Sequence, residues 1–177
     1  PIAVGESLAD VCTGMFAAWG ITAALFERER TGEGQHLDVS MLDSVFSMLV
    51  TGLGRELHTD RPAERVGNRH PETYPVDSFP TKDGDVVRVC CSDPTFAALL
   101  HAIGRPELDE DPRFLDNTAR NQNEDELRAI ITGWTRGQTQ QDVLESLRTA
   151  GIPCAPVWTL RDVIDSGHPE ARGMVLD

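Results

Sequence analysis

Basic residues are scarce in this sequence. Lys and Arg total 16 against 29 Asp and Glu, which gives a formal net charge of −13 over 177 residues. A surface with this excess of negative charge repels phosphate backbones and anionic lipid headgroups. The composition therefore argues against binding to nucleic acid or to a membrane surface. With 40% hydrophobic and 25% charged residues, it is otherwise ordinary for a globular protein.

Metal-ligand patterns are also missing. No pair of the five histidines has the spacing of a metal site, and the four cysteines form neither a zinc motif nor a disulfide framework. Cys90 and Cys91 would point to opposite sides of a strand, so we expect no bond between them. We predict no metal and no permanently bound cofactor. The cysteines are interpreted as reduced core residues of a cytoplasmic protein.

Leader segments, membrane spans and the common nucleotide motifs are absent as well. No apolar run is expected to cross a bilayer, although residues 15–26 are strongly apolar. The chain begins with Pro1 and lacks the basic region of a signal peptide, so we interpret it as an internal piece of a longer chain. It contains no G-x-S-x-G elbow, phosphate-binding P-loop or G-x-G-x-x-G motif.

The sequence does contain a helix with many small side chains, predicted from about Leu8 to Arg30. Its small residues recur at helical spacing and would let other backbones approach closely: Gly14, Ala17, Ala18, Gly20, Ala23 and Ala24. Asp10 lies near the start, where free amides and the helix dipole favour an anion. From the residues alone, a capping role for Asp10 is favoured over a catalytic one.

The remainder of the first segment is predicted as a turn, a strand and a helix. Thr31-Gly-Glu-Gly-Gln35 leaves a helix and enters a strand, the reverse of a phosphate loop, and is interpreted as a turn. Residues 35–41 alternate polar and apolar side chains, which predicts a strand. A second helix is expected from Met41 or Leu42 to about Leu53. Periodicity then disappears up to Pro75, which favours a linker over residues 61–75.

A second unit is predicted over residues 76–177. The Asp83-Gly84 pair predicts a hairpin turn before a return strand at 86–91. Ser92-Asp93-Pro94 opens a helix, further helices are expected at 124–135 and from about 140 to Gly151, and 152–157 is extended at a sheet edge. The other predicted elements are a short helix near 112–115, a capped helix at 160–166 and a strand-like run at the end of the chain.

One loop in the linker carries polar side chains that could meet a ligand. It consists of Asn68, Arg69 and His70. From residue chemistry alone, an ordinary linker is the favoured interpretation.

Along nearly its whole length the sequence resembles the class III CoA-transferases, the CaiB/BaiF family. The resemblance rests on motifs that are weak singly but specific as an ordered set: Asp10-Val-Cys-Thr-Gly14, Arg30-Thr-Gly-Glu-Gly-Gln35, Gly67-Asn-Arg-His-Pro71, Phe79-Pro-Thr-Lys-Asp-Gly84, Gly104-Arg-Pro-Glu-Leu108, Asp111-Pro-Arg-Phe114 and Ala150-Gly-Ile-Pro-Cys-Ala-Pro-Val157.

This resemblance implies an α/β fold. Residues 1–60 would be the end of the N-terminal segment of a Rossmann-like large domain, present as helix, strand and helix. Residues 76–177 would be the small α+β domain. Most CoA-binding residues would precede Pro1, and the family pattern implies an interlocked homodimer. We therefore expect the 177-residue piece to be inactive alone.

The resemblance also implies a chemistry for Asp10, which matches the catalytic carboxylate of the family. The expected substrates are an acyl-CoA and a carboxylic acid acceptor, linked through an aspartyl anhydride and an aspartyl-CoA thioester. Asn68, Arg69 and His70 would be a possible active-site loop. An α-methylacyl-CoA racemase using Asp10 as acid or base remains an alternative. So does a non-catalytic structural module, and Gly67-Asn-Arg-His-Pro71 disfavours formyl-CoA as substrate.

Overall fold

A computed structural model describes residues 5–60, 62–84 and 86–175 of the chain. The chain divides into two compact units, Pro1–Ala63 (unit 1) and Glu64–Asp177 (unit 2). Each unit is described separately below.

Unit 1 contains three helices: α1, Leu8–Thr31; α2, Met41–Phe46; and α3, Val50–His58. The helix predicted at the start of the chain is confirmed. It ends because Gly32 adopts a left-handed conformation, with φ of 77°, and its amide closes the last turn on the Arg28 carbonyl. In α2, the Ser40 hydroxyl accepts a hydrogen bond from the Asp43 amide and caps the helix.

Two predictions for unit 1 are wrong. Residues 33–40 form neither a helix nor a strand in the structure as described, and no described strand pairs with them. Leu37 instead lies beside Gly20, where an added Cβ would be 3.6 Å from its Cδ1, an ordinary van der Waals contact. The predicted second helix is interrupted between Phe46 and Val50, where the Ser47 hydroxyl donates to the Ser44 carbonyl and competes with the helical pattern.

Most apolar side chains of unit 1 are exposed. Cys12 is the only buried hydrophobic residue among those described in this unit, whereas Trp19 and Phe26 are 63% and 65% exposed. Contrary to the expectation from sequence, α1 is long and apolar enough to cross a membrane by length and composition. Core helices of proteins outside membranes meet the same criterion, so this feature is weak support for a membrane span.

Unit 2 is built around a three-stranded antiparallel sheet with the order β1-β2-β3. The strands are β1, Val76–Pro80; β2, Val86–Cys90; and β3, Cys154–Pro156. Phe79 pairs with Val87 and Val89 pairs with Cys154. The predicted hairpin is confirmed, with Gly84 at a φ of 87° in its turn. The proline-containing β3 lies at an edge, as expected.

Helices connect β2 to β3, and two short helices follow β3. They are α4, Asp93–Ala102; a 3-10 helix, Pro106–Glu110; α5, Asn117–Gln122; α6, Glu124–Thr135; α7, Gln140–Thr149; α8, Leu160–Asp165; and α9, His168–Ala171. Of these, α6 and α7 pack on the strands.

The helices predicted at 124–135 and from about 140 are confirmed. The short helix predicted at 112–115 is wrong, since helical turns lie on either side of it. Met174 and Val175 are not in a strand, and residues 176–177 lie outside the described residues.

The core of unit 2 is formed by side chains from the sheet and from the helices packed on it. Its fully or almost fully buried members include Tyr74, Phe79, Val87, Val89, Phe96, Leu99, Leu100, Phe114, Leu127, Ile131, Val143, Leu147 and Ile152. Tyr74 comes from the segment predicted as a linker, and residues 64–75 belong to unit 2. The segment packs with unit 2 because Tyr74 supplies a large apolar ring to the core.

The hairpin turn is also tied to α7 by a carboxylate. Both oxygens of Asp83 accept hydrogen bonds from the Gln140 amide, at 3.0 and 3.2 Å, and the Lys82 amide donates to the Gln138 carbonyl at 2.8 Å. The negative charge lies at the helix N-terminus, where the helix dipole stabilises it. This contact fixes the β1–β2 turn against the start of α7.

Cys90, the last residue of β2, and Cys91, which follows it, should differ in reactivity. Cys90 is exposed, whereas Cys91 is buried and its burial raises the pKa of the thiol, although a hydrogen bond to Thr95 acts in the opposite direction. A raised pKa leaves less thiolate at a given pH, and thiolate is the reactive form. At pH 8, Ellman's reagent should therefore label Cys90 quickly and Cys91 only on unfolding. Peptide mapping and a Cys90→Ser variant test this, and rapid labelling of Cys91 would contradict it.

Candidate functional site

Asp10 lies in the first turn of α1, on an exposed part of the helix. In a capping interaction its carboxylate, or the hydroxyl of Ser7, would accept a backbone amide of the first turn. Ser7 makes no such hydrogen bond, and in the part of the chain that the structure describes the Asp10 side chain makes no hydrogen bond or ion pair. Contrary to the capping role favoured from residue chemistry, neither side chain caps α1 among the described residues.

The start of α1 also carries amides that are not used within the helix. The Leu8 amide donates to Glu6 and the Val11 amide donates to Ser7. The amides of Ala9 and Asp10 make no backbone hydrogen bond with any described residue. The first amides of a helix lack intrahelical acceptors and are natural donors to an anion. The carboxylate and two free donors thus lie in a single helical turn.

The Asn68–His70 loop lies in unit 2 and is held from two sides. The Arg88 guanidinium, from β2, donates to the Asn68 carbonyl and also to the Ser78 hydroxyl. The Arg69 guanidinium contacts the Glu124 carboxylate, with 2.7 Å between Nε and Oε2, and both side chains are largely buried. A second Arg69 nitrogen donates to the His70 carbonyl at 3.3 Å. The loop backbone is therefore fixed by two arginines.

His70 is built into its own turn. Its Nδ1 accepts hydrogen bonds from the amides of Glu72 and Thr73, at 3.1 and 3.0 Å, while its amide donates to the Val76 carbonyl at 2.7 Å. An imidazole nitrogen that accepts hydrogen bonds carries a lone pair, so the proton of the neutral ring lies on Nε2. The turn thus fixes His70 as the tautomer that donates from Nε2.

Five polar residues that the sequence analysis did not select hold the segment from residue 69 to residue 77. We call them the polar clasp: Asn117, Arg120, Asn121, Glu124 and Arg128. Their spacing of three, one, three and four places them on one face of α5 and α6. That periodicity is visible in the sequence, but nothing in it shows which segment the face holds.

The clasp residues bond several parts of the segment. Asn117 accepts the Tyr74 amide at 3.0 Å and donates to the Glu72 carbonyl at 2.6 Å. Arg120, which is buried, donates to the Tyr74 carbonyl at 2.9 Å, and Arg128 pairs with the buried Asp77. The bonds to Tyr74 satisfy backbone groups of a buried residue that would otherwise lack partners.

The Tyr74 phenol lies among the charged side chains of this region. Burial raises its pKa well above the usual range; among the smaller effects, the charges of Arg128 and Arg69 lower the pKa and those of Asp77 and Glu124 raise it. Its hydroxyl has no hydrogen-bond partner among the described residues. Two carboxylates and two guanidinium groups surround it, so the formal charges balance. Tyr74 is a neutral core residue rather than an acid or base.

The predicted site residues thus fall into two groups. Asp10 belongs to unit 1, and Asn68, Arg69 and His70 are brought together in unit 2. In residues 5–60, 62–84 and 86–175, no group of three or more His, Cys, Asp or Glu side chains is placed to hold a metal ion.

Comparison with known families gives a match over the whole sequence. The sequence pattern of CoA-transferase family III matches residues 1–177. The acetyl-CoA:oxalate CoA-transferase of Acetobacter aceti is 38% identical over 172 residues, covering 97% of this chain and 44% of that protein. The succinyl-CoA:mesaconate CoA-transferase of Haloarcula marismortui is 36% identical over 177 residues, covering 100% of this chain and 44% of that protein.

Solved structures give a consistent result. A CAIB/BAIF family protein from Brucella suis is 33% identical and superposes with a TM-score of 0.77, covering 100% of this chain and 47% of that chain. The superposition includes both the helices and the sheet described above. The chain therefore spans less than half the length of these relatives.

Proposed function

Because the chain belongs to CoA-transferase family III, we propose that the whole protein transfers CoA between small carboxylic acids with Asp10 as its nucleophile. One observation carries the choice of residue. The Asp10 carboxylate is exposed, makes no internal bond within the described residues, and lies in the same turn as two amides without backbone acceptors. A residue that only stabilised α1 would use its carboxylate to bond those amides.

The proposed reaction begins with attack of the Asp10 carboxylate on the thioester carbonyl of the donor acyl-CoA. The C–S bond breaks, CoA leaves as the thiolate, and a mixed anhydride between the acyl group and Asp10 forms. The thiolate then attacks the Asp10 carbonyl carbon of this anhydride. The donor acid leaves as its carboxylate, and Asp10 carries CoA as a thioester.

The second half repeats these steps in reverse order with the acceptor. The acceptor carboxylate attacks the aspartyl thioester, releases CoA thiolate and forms a new anhydride. The thiolate attacks the acceptor acyl carbon, which gives the new acyl-CoA and restores the Asp10 carboxylate. Each step passes through a tetrahedral oxyanion, and the free amides at the start of α1 are donors of the type that stabilises such an oxyanion.

The substrates follow from the chemistry of the relatives. The names of those described above contain oxalate and mesaconate, which are small dicarboxylic acids. We extend the class to this protein, with a short-chain acyl-CoA as donor and a small carboxylic acid as acceptor. No resident cofactor enters the scheme, since CoA arrives and departs with the substrates.

The domain assignment is part of the same proposal. Unit 1 supplies the end of the N-terminal segment of a Rossmann-like CoA-binding domain, and unit 2 is the small α+β domain. The relatives are more than twice as long as the matched region, so most CoA contacts are assigned to the rest of the protein. A homodimer is proposed for the whole protein, and sedimentation analysis tests it.

Trapping with hydroxylamine tests the nucleophile. The whole protein would be incubated with donor acyl-CoA in the absence of acceptor and then treated with hydroxylamine, which converts an aspartyl anhydride or thioester to a hydroxamate. Mass spectrometry should locate the hydroxamate on Asp10, and omission of the donor should abolish it. Transfer activity without any adduct on Asp10 would contradict the mechanism. Exchange of the substrate α-proton with deuterated water, without acceptor and without adduct, would instead favour the racemase alternative.

A further inference from the structure

The ion pair between Arg69 and Glu124 assigns different tasks to the three residues of the Asn68–His70 loop. The Arg69 guanidinium is occupied twice, by the Glu124 carboxylate at 2.7 Å and by the His70 carbonyl at 3.3 Å. Its side chain is only 16% exposed. Because this arginine is largely buried and its charge is already paired, its role is to fix the loop.

The two residues on either side of Arg69 keep their donors. The Asn68 side chain is exposed and makes no hydrogen bond within the described part of the chain, while its backbone carbonyl is held by Arg88. His70 uses Nδ1 within its turn and keeps the Nε2–H. The loop therefore presents an amide and an imidazole N–H on a backbone that is fixed on both sides.

We propose that Glu124 is a positioning residue for substrate binding: by holding Arg69 it fixes the loop so that Asn68 and the Nε2–H of His70 donate to a carboxylate oxygen of the acid substrate. This inference rests on the proposed function for the nature of the ligand. The arrangement of the loop does not depend on it. Neutral donors suit a carboxylate that must later react, because they orient it without forming a tight ion pair.

Glu124 acts within a balanced set of charges. Arg69 and Glu124 are near Tyr74 together with Asp77 and Arg128, which come from β1 and α6. Replacing Glu124 by Gln removes one negative charge and leaves the Arg69 guanidinium without its counter-charge in a largely buried place. The Arg69–His70 contact then loses its support, and the loop samples other conformations. Substrate affinity should fall while the chemical step is little changed.

A kinetic comparison in the whole protein tests this role. Glu124→Gln should raise the KM for the acid acceptor about tenfold with kcat within about threefold, as expected for weakening of one largely buried ion pair that fixes the loop. Glu126→Gln is the matched control, because Glu126 lies on the same helix and pairs with the exposed Arg113. It should leave both constants unchanged.

The double variant Arg69→Met/Glu124→Gln separates positioning from direct contact. If Arg69 acts only through Glu124, the double variant should resemble the Glu124→Gln variant in KM. If Arg69 binds the substrate itself, Glu124→Gln should free its guanidinium and leave KM unchanged or lower it. The double variant should then be much worse. The latter pattern would overturn the proposal.

NMR of the His70 ring tests the positioning role of Glu124 without a measurement of activity. Nitrogen-15 NMR of the histidine rings should show His70 as the Nε2–H tautomer, assigned with a His70→Gln variant. Glu124→Gln should shift this signal by loosening the loop that carries the ring, while Glu126→Gln leaves it unchanged. An unaltered His70 signal in Glu124→Gln would overturn the positioning role. Absence of CoA transfer in the unmodified protein would refute only the proposed function.

Discussion

Replacing Arg120 by Met should lower the free energy of unfolding of the chain by about 4 kcal/mol. The Arg120 guanidinium is 1% exposed, stacks on the Phe96 ring with 4.3 Å to the ring centre, and donates to the carbonyls of Tyr74 and Phe114. Methionine keeps most of the volume but leaves those two buried carbonyls without donors. The cost of each unsatisfied group is about 1–3 kcal/mol. Loss of the pair with Asp93 adds little, because Asp93 is 63% exposed.

Chemical denaturation followed by tryptophan fluorescence measures this effect, since Trp134 packs against the unit 2 core. Arg113→Met is the matched control: Arg113 also lies over a phenylalanine and pairs with carboxylates, but its side chain is 47% exposed. Its loss should cost at most about 1 kcal/mol. An equally small effect for Arg120→Met would mean that the two carbonyls find other partners. Arg120 of the polar clasp would then contribute little to the free energy of unfolding of unit 2.

Replacing Asp10 by Asn should reduce kcat of the whole protein by at least about a thousandfold, in the range seen when a covalent nucleophile is removed. The amide has nearly the same shape as the carboxylate but cannot form the anhydride. If Asp10 only stabilised the start of α1, the change would instead cost about 0.3–1 kcal/mol of stability and little activity. Activity and unfolding of the same preparation therefore separate the two roles.

Glu6→Gln provides the control for charge near the helix start. Glu6 is exposed and precedes α1, and the one hydrogen bond it makes with the described residues uses its backbone carbonyl. The variant should keep full activity. If Glu6→Gln lost as much activity as Asp10→Asn, the effect would be that of net charge at this end of the helix, and the nucleophile assignment would fail.

Much of the local structure follows from sequence patterns. α1, the β1–β2 hairpin, α4, α6 and α7 were all predictable because helical periodicity, capping residues and an Asp-Gly turn act over a few residues. The strand predicted at 35–41 fails for a physical reason. Alternation shows that a segment suits a sheet, whereas a strand also needs a partner, and none pairs with it in the described residues.

The candidate site was predictable only in part. The position of Asp10 at a helix start follows from the sequence, but its proposed chemistry depended on resemblance to a family. Glu124 was missed, since its contact with Arg69 joins residues far apart in the chain. Likewise, the segment at 64–75 looked like a linker because it lacks periodicity. It is ordered by side-chain bonds to the polar clasp, which leave no periodic signal.

The unequal burial of the two units determines what a calorimeter can detect. The heat capacity change of unfolding follows the apolar area removed from water. In the described chain that area comes almost entirely from the unit 2 core, with Cys12 as the one buried hydrophobic residue of unit 1. A calorimetric heating scan of the 177-residue chain therefore reports mainly the unfolding of unit 2. Ligands that bind at α1 must be detected by another method, because their binding would leave the calorimetric transition almost unmoved.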